Sequence, residues 1–438
     1  MNSGLLKNIV HTFFAQTAGF AVNLACGILI ARFLGPTGRG DWAAITSTIS
    51  IIATFSYFAA GYAIVYLRSN KAFTRHELFR ASLVVSLAGT LVCLAIAFAV
   101  SHRLSHDAEP GFASAFLVYG LGQFSANLGT FISMIYLADK EFGRANVIGL
   151  LPRFTVLAGY ALLLLLRQFT VLGVVLVNVL ASTALLVLVL LWFRSAFAES
   201  VLNWLDALKE MVRYGLKVWL GLLAQSVTMR ADQVIMASLL PRSVLGLYAV
   251  SVTVAELVGF FAGAAGFVVG PTTAALEGPE LARTIGRSFR MTFTLVCSAS
   301  LVLYLIGPLL IHIFYGARYD GATISFRWLV VASIPMSLFS MSKDVLVSRG
   351  QAMLNMWMQF LGAAVTIACC YVLIKIYGLT GAGIASFVTY TIIAAVALVF
   401  VSQKANVRVR DLLIPTKSDL AAIKNQLLKR AKPAAGTT

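Results

Sequence analysis

The sequence predicts an all-α polytopic membrane protein with about twelve transmembrane helices in two pseudo-symmetric lobes of six. Composition is the first indication: 59% of the residues are hydrophobic and only 12% are charged, against about 25% charged in a typical soluble domain. The second is a series of apolar stretches of roughly 20 residues, the length that crosses a hydrocarbon core. The third is a repeated pattern, since residues 11–43 and 219–249 are similar.

Each predicted lobe contains six spans. The N-terminal lobe covers residues 1–193 and the C-terminal lobe covers residues 214–402. Because each lobe has an even number of spans, both have the same orientation in the membrane and enclose a central cleft. Such a duplicated bundle is typical of transporters. The spans lie near 9–33, 42–66, 79–100, 112–137, 146–166, 170–193, 214–240, 245–270, 290–315, 324–347, 353–376 and 380–402.

Two more polar segments complete the predicted organisation. In residues 194–213, apolar side chains recur at helical spacing opposite charged ones. This pattern predicts an amphipathic linker helix that lies on the inner membrane surface. Residues 403–438 are polar and basic, and they predict a cytoplasmic tail that is either solvated or held to anionic lipid.

The distribution of basic residues predicts the orientation of the chain. Lys and Arg total 34 against 17 Asp and Glu, which gives a net charge of +17. Most of the basic residues lie in the predicted inner loops and in the tail. This positive-inside pattern places both termini in the cytoplasm and explains the charge without a nucleic-acid partner. The predicted outer loops contain Arg39, Arg103, Arg167, Arg242, Arg318 and Lys375.

Charged residues within spans seven and eight are the strongest candidates for a functional site. Arg230 and Asp232 lie near the middle of span seven, and Glu256 lies in span eight. Each charge at a helix centre costs roughly 2.5–3.5 kcal/mol, so these groups must pair or face a wet cavity. An Arg230–Glu256 pair that fixes helix register and a lumen-facing substrate or ion site are both compatible with this pattern.

Further polar residues within the spans are candidates for lining the cleft. The amides share one face of span one or of span four. The charged members lie at the start of span five or in span ten. Helix packing and snorkelling to the interface are the alternative roles for such residues. These candidates are Gln16, Asn23, Gln123, Asn127, Arg153, Lys343 and Asp344.

Enzyme signatures are missing from the sequence. It has no Walker loop, no dinucleotide fingerprint, no Ser/His/Asp cluster and no cysteine spacing typical of a metal site. The sequence therefore predicts a protein that is not an enzyme and that needs neither a cofactor nor a metal.

Five passages resemble one known family: residues 30–40, 229–235, 244–249, 315–321 and 377–383. In order and spacing they are similar to the Wzx-type polysaccharide flippases of the multidrug/oligosaccharidyl-lipid/polysaccharide exporter (MOP) superfamily. The resemblance implies a MATE-like, V-shaped bundle in a bacterial inner membrane that works by alternating access. Its substrate would be a polyprenyl-pyrophosphate-linked oligosaccharide, moved to the outer leaflet for a surface polysaccharide.

The resemblance also bears on the site and its partners. Relatives that flip the peptidoglycan precursor carry several arginines in the first two spans, where this chain has Gln16 and Asn23. The positive charge of the lumen is therefore expected at Arg230 and Lys343. Implied partners are membrane lipids, a coupled Na⁺ or H⁺, and polysaccharide polymerase or assembly proteins. The alternative within the superfamily is a cation- or proton-coupled small-molecule antiporter, in which acidic groups would dominate the cleft.

Overall fold

The computed structural model describes residues 3–105, 108, 110–192, 203–274 and 278–414. All regular structure within these residues is helical, and none of them forms a strand. A short 3₁₀ helix, Ala317–Ala322, precedes α10. The α-helices are α1 (Ser3–Ser56), α2 (Ala60–Ser69), α3 (Arg75–Leu104), α4 (Phe112–Ala138), α5 (Phe142–Leu165), α6 (Val171–Trp192), α7 (Trp204–Leu239), α8 (Arg242–Ala274), α9 (Gly278–Tyr315), α10 (Thr323–Ser348), α11 (Ala352–Ala405) and α12 (Val409–Leu413).

Each predicted span lies at least in part in a helix, and the number of twelve spans stays a prediction. Among the described residues, eight helices are long and apolar enough to cross a membrane. Two of them, α1 and α11, each consist of two arms joined at a glycine with left-handed backbone, at Gly35 (φ 71°) and Gly378 (φ 56°). Glycine adopts this conformation without the penalty that a Cβ brings. With the long helices α4 and α7, the structure confirms an all-α polytopic membrane protein.

One predicted span, 42–66, is broken in the structure. Phe58 and Ala59 have φ values of 47° and 55°, so α1 ends before them and α2 begins after them. In a continuous helix the Thr54 carbonyl oxygen would accept from the backbone N–H of Phe58. Here the indole Nε1 of Trp219 donates to that oxygen at 3.1 Å. A helix can break at membrane depth when a neighbouring helix satisfies the backbone in this way.

The structure also differs from the predicted linker helix. Helix α7 runs without a break over Trp204–Leu239, so the second half of the linker is the start of a spanning helix. Its apolar residues Ala207 and Met211 are fully buried against the core of α2, α3 and α4. Residues 194–202 of the linker and 415–438 of the tail lie outside the described residues.

The chain forms two compact units. The first unit contains Met1–Thr253 together with Ile311–Ala322, and the second contains Val254–Leu310 together with Thr323–Thr438. Helices α1–α7 and the start of α8 therefore belong to the first unit, and α10–α12 belong to the second. These units do not coincide with the two predicted lobes, and the division into lobes stays a prediction.

Each unit has its own buried core. In the first unit, side chains of α2, α3, α4 and α6 such as Ile64, Phe79 and Ile135 pack with the start of α7. In the second unit, α9, α10 and α11 pack around residues such as Phe289 and Phe339. Because lipid tails are as apolar as these side chains, close packing rather than exclusion of water holds such helices together.

Candidate functional site

A large cavity of about 1190 Å³ lies within the first unit. Its walls are the second arm of α1 with α2, α4 and α7. The lining runs along α7 from Tyr214 to Arg230, which at 1.5 Å per residue is about 24 Å. At the Tyr214 end it reaches Ser69 and Asn70, which are exposed. The cavity is larger than the roughly 300–1,000 Å³ of pockets for small ligands.

Arg230 is the only charged residue among the described residues that line this cavity. Within its own unit it forms no hydrogen bond or ion pair with a described residue. Its guanidinium therefore offers a planar set of donors to a ligand. Arginine binds carboxylate and phosphate groups through two parallel hydrogen bonds, a geometry that lysine lacks.

Gln123 and Asn127, the amides predicted on one face of span four, lie on α4 and also line the cavity. The side-chain Nδ2 of Asn127 donates to the Gln123 backbone oxygen at 2.9 Å and to the Gln123 Oε1 at 3.3 Å. Opposite α4, the hydroxyl groups of Thr54 on α1 and Ser226 on α7 lie 3.3 Å apart. Arg230, Gln123 and Asn127 are thus brought together at one cavity, and their role in binding stays a prediction.

Aromatic rings form much of the remaining wall. The rings of Tyr66 on α2 and Tyr214 on α7 stack at 4.2 Å with an interplanar angle of 12°. Rings with an adjacent hydroxyl or amide suit sugar units, which have apolar faces and polar edges. The sequence gives no sign that α2 is a separate helix, because neither Gly nor Pro stands at the break before it. The aromatic lining residues are Tyr57, Tyr62, Tyr66, Tyr119, Phe131 and Tyr214.

Asp232 is buried next to this cavity wall and is not among the residues that line it. Its side chain accepts a 2.6 Å hydrogen bond from the Tyr248 hydroxyl and a 2.7 Å bond from the Gln233 backbone N–H. The residue is only 6% exposed. Through these hydrogen bonds, the buried Asp232 side chain ties α7 to α8 in the described structure.

The remaining candidates of the first unit lie elsewhere. Gln16 and Asn23 are exposed on α1 and do not line the described cavity. Arg153 on α5 lies against α1, where a Cβ added to Gly19 would overlap the Arg153 guanidinium. These positions on α1 and α5 are not joined to Arg230 by any described contact.

Three candidates belong to the second unit. Glu256 is exposed on α8, and the Lys343 Nζ lies 4.0 Å from the Asp344 Oδ1 on α10. An ion pair between adjacent, partly exposed residues adds little stability. Their binding roles, and the Arg230–Glu256 pair, stay predictions.

The two copies of the repeated pattern meet inside the first unit. A Cβ added to Gly40 would overlap the Arg242 carbonyl oxygen, and one added to Gly246 would overlap the Pro36 carbonyl oxygen. Only glycine permits backbones to approach this closely. The middle of α1 and the start of α8 are thus in direct backbone contact, at the end of α7 away from Tyr214.

A buried ion pair lies at this junction. The Arg242 Nε is 3.3 Å from the Asp41 Oδ1, and both side chains are 1% exposed. The guanidinium also lies 4.9 Å from the ring centroid of Phe112 and donates to the Leu104 carbonyl oxygen. From the sequence, Arg242 was expected in an outer loop and Asp41 had no predicted role, because burial of a loop residue leaves no local signal in the sequence.

The chain matches the family described as polysaccharide biosynthesis protein over residues 29–324. This chain belongs to that family. The match spans the end of the first copy of the repeat, the whole second copy and the whole of α2–α8, and it confirms the family predicted from the sequence. No curated protein is similar enough to the chain to count as a match.

Solved structures show the fold. An inward-facing multidrug resistance MATE family transporter of the MOP superfamily aligns with a TM-score of 0.72 and 16% identity over 89% of this chain and 94% of its own. Lipid II flippase MurJ, in an inward closed conformation, aligns with a TM-score of 0.72 and 12% identity over 98% and 94%. A MOP superfamily transporter from Pyrococcus furiosus, described as having a binding pocket of reverse polarity, aligns at 0.59 with 15% identity over 91% and 96%. The predicted MATE-like fold is confirmed.

Proposed function

We propose that this protein moves a lipid-linked oligosaccharide from the inner to the outer leaflet during the synthesis of a surface polysaccharide. One observation carries the proposal: the 1190 Å³ cavity combines Arg230, which forms no hydrogen bond or ion pair with a described residue of its unit, with a wall of aromatic, amide and hydroxyl groups. The arginine suits the diphosphate, and the wall suits the sugars. The family and the flippase among its structural neighbours support this reading.

The charge of the cavity favours an anionic substrate. No described residue of the lining is an Asp or a Glu, and Arg230 is its only formal charge. An antiporter of cationic small molecules would need carboxylates in this position, because a buried cation must be paired. The same reasoning supports Arg230 as the residue that contacts the diphosphate.

The position of the cavity fits one state of an alternating-access cycle. Its lining reaches exposed residues at the Tyr214 end of α7, the end predicted to be cytoplasmic. At the opposite end, Gly40 and Gly246 are in contact beside the buried Asp41–Arg242 pair. In this state a headgroup would enter from the inner leaflet. Export would require the α1–α8 junction to separate.

The membrane potential supplies a driving force for this direction. Moving one negative charge outward across an inside-negative membrane is favourable by about 2.3 kcal/mol per 100 mV. A diphosphate carries more than one such charge. We therefore propose that the potential biases export in a bacterial inner membrane with both termini cytoplasmic. Coupling to Na⁺ or H⁺ would add to this bias only if an acidic group changes its protonation or its cation during the cycle.

The test is the leaflet location of the lipid-linked oligosaccharide in intact spheroplasts, read with a membrane-impermeant glycan probe. When the protein is depleted, the lipid-linked glycan should stay in the inner leaflet, out of reach of the probe. Re-expression should restore labelling of the glycan in the outer leaflet. Arg230→Ala should fail to restore it, and Arg230→Lys should restore it in part because only the point charge remains. Arg327→Ala is the matched control, since Arg327 is an exposed helical arginine over the Tyr304 ring and outside the cavity lining.

Two outcomes would overturn the proposal. Unchanged glycan distribution after depletion would remove the flippase function, and dye efflux from loaded vesicles would then test the antiporter. Full restoration by a correctly inserted Arg230→Ala protein would remove the site assignment. Collapse of the membrane potential tests the driving force, because transport that continues unchanged would exclude a role for voltage.

A further inference from the structure

A second cavity, of about 580 Å³, lies in the second unit where α9 begins and α11 ends. Helix α9 contributes Arg283, Arg287 and Arg290, which are four and three residues apart and therefore share one face. Arg408, in the turn before α12, lines the cavity from the other side. The remaining lining residues are Ala282, Gly286, Asn406, Val407 and Asp411.

The short helix α12 and the turn before it form one wall of this cavity, and packing against the core of the second unit holds them in place. Asn406 has left-handed backbone (φ 51°) and turns the chain at the end of α11. Leu412 is fully buried in the same core as Ile285 and Phe289 of α9. The Arg290 Nη1 then donates to the Asp411 carbonyl oxygen at 2.7 Å, which joins α9 to α12.

Three of the arginines in this cavity have no partner among the described residues of the second unit. Arg283, Arg287 and Arg408 are exposed, and none of them forms a hydrogen bond or ion pair with a described residue of that unit. Asp411 is the only acidic residue among the described residues of the lining. Arginines grouped in this way repel one another. An anion that binds between them relieves this repulsion and is attracted by each guanidinium.

The cavity lies at the ends of two long apolar runs. Residues 291–311 of α9 begin directly after Arg290 and contain no charged residue. Residues 377–401 of α11 are also free of charged residues and end shortly before Arg408. Runs of this length span the hydrocarbon core, and the arginines therefore lie where lipid headgroups lie.

We propose that this cavity binds the phosphate headgroup of an anionic membrane lipid, with Arg283, Arg287 and Arg408 as its ligands. Each guanidinium offers two parallel donors to phosphate oxygens. The interfacial position favours a lipid over a soluble phosphate compound, because the membrane presents headgroups to the cavity continuously. The site is separate from the proposed transport cavity, since its lining belongs to the second unit. Its occupant would hold α12 against the membrane surface.

The experiment measures binding of phosphatidylglycerol to the purified full-length protein in phosphatidylcholine nanodiscs. Each basic residue near a headgroup contributes about fivefold to affinity, so Arg283→Gln with Arg287→Gln should weaken binding about 25-fold. Lys209→Gln with Arg213→Gln is the matched control, because both residues are exposed at the start of α7 and carry the same total charge. All four side chains are exposed, so neither variant should lose stability. Similar unfolding temperatures for both variants would exclude misfolding as the cause of weaker binding.

The outcomes separate the possible sources of the phosphate. Weaker binding in the α9 variant alone supports the proposal. An equal loss in both variants shows a diffuse charge effect and overturns it, as does unchanged binding in the α9 variant. Unchanged binding of phosphatidylglycerol in the α9 variant, together with a loss of pyrophosphate binding by that variant, identifies a soluble phosphate compound as the occupant. That result overturns the lipid assignment. None of these outcomes depends on transport activity.

Discussion

Replacement of Asp41 by asparagine should destabilise the first unit by about 3 kcal/mol. Asp41 is the carboxylate partner of Arg242, and both side chains are 1% exposed. Asparagine has nearly the same size, so the change removes a charge and leaves no cavity. The Arg242 guanidinium would then remain buried without this carboxylate, and removal of one member of a buried pair costs about 3–5 kcal/mol.

The geometry of the Asp41–Arg242 pair gives the size of the expected loss in stability. Unit charges 3.3 Å apart attract by about 5 kcal/mol at an effective dielectric constant of about 20. The variant keeps the contact of Arg242 with the Phe112 ring and its hydrogen bond to the Leu104 carbonyl oxygen. These retained contacts, with local relaxation, place the expected loss at the lower end of the range.

The assay is the free energy of unfolding of the full chain in detergent, measured for Asp41→Asn, Arg242→Gln and the double variant. A buried pair predicts that the two single losses sum to more than the loss of the double variant. The control is Asp320→Asn, because the His312–Asp320 pair is more than half exposed and such pairs contribute about 0–1 kcal/mol. If Asp41→Asn costs no more than Asp320→Asn, the reasoning from burial is refuted.

Two further variants test the packing of the first unit in the same assay. Gly246→Ala should cost at least about 1–3 kcal/mol, because the new Cβ overlaps a backbone oxygen of α1. Gly149→Ala, where a Cβ meets open space, should cost nothing, and equal losses would contradict the close approach. Asp139→Asn should cost about 1.5–3 kcal/mol, since its mostly buried carboxylate accepts from the Arg68 Nε at 2.7 Å. Glu210→Gln, in an exposed pair, should change stability little, and an equal loss would show that burial does not decide the effect.

Several residues of the candidate site could be identified from the sequence, but the sequence did not show which of them meet at one cavity. Arg230, Gln123 and Asn127 stand out because polar side chains are rare in apolar spans, and all three line one cavity. Asp232 stands out for the same reason, yet a Tyr248 hydroxyl 16 residues away satisfies it in the buried wall. Spacing along a helix predicts which face a residue occupies, and it does not tell which partner that face meets.

The sequence by itself determined the class of protein and the family. These depend on local requirements: an apolar run must match the bilayer thickness, and a glycine must stand where Gly35 and Gly378 turn the chain. Only the tertiary structure decided the break at Phe58, the buried Asp41–Arg242 pair and the arginine cavity around α12. Each of these is created by residues distant in sequence, whose approach is set by the packing of whole helices.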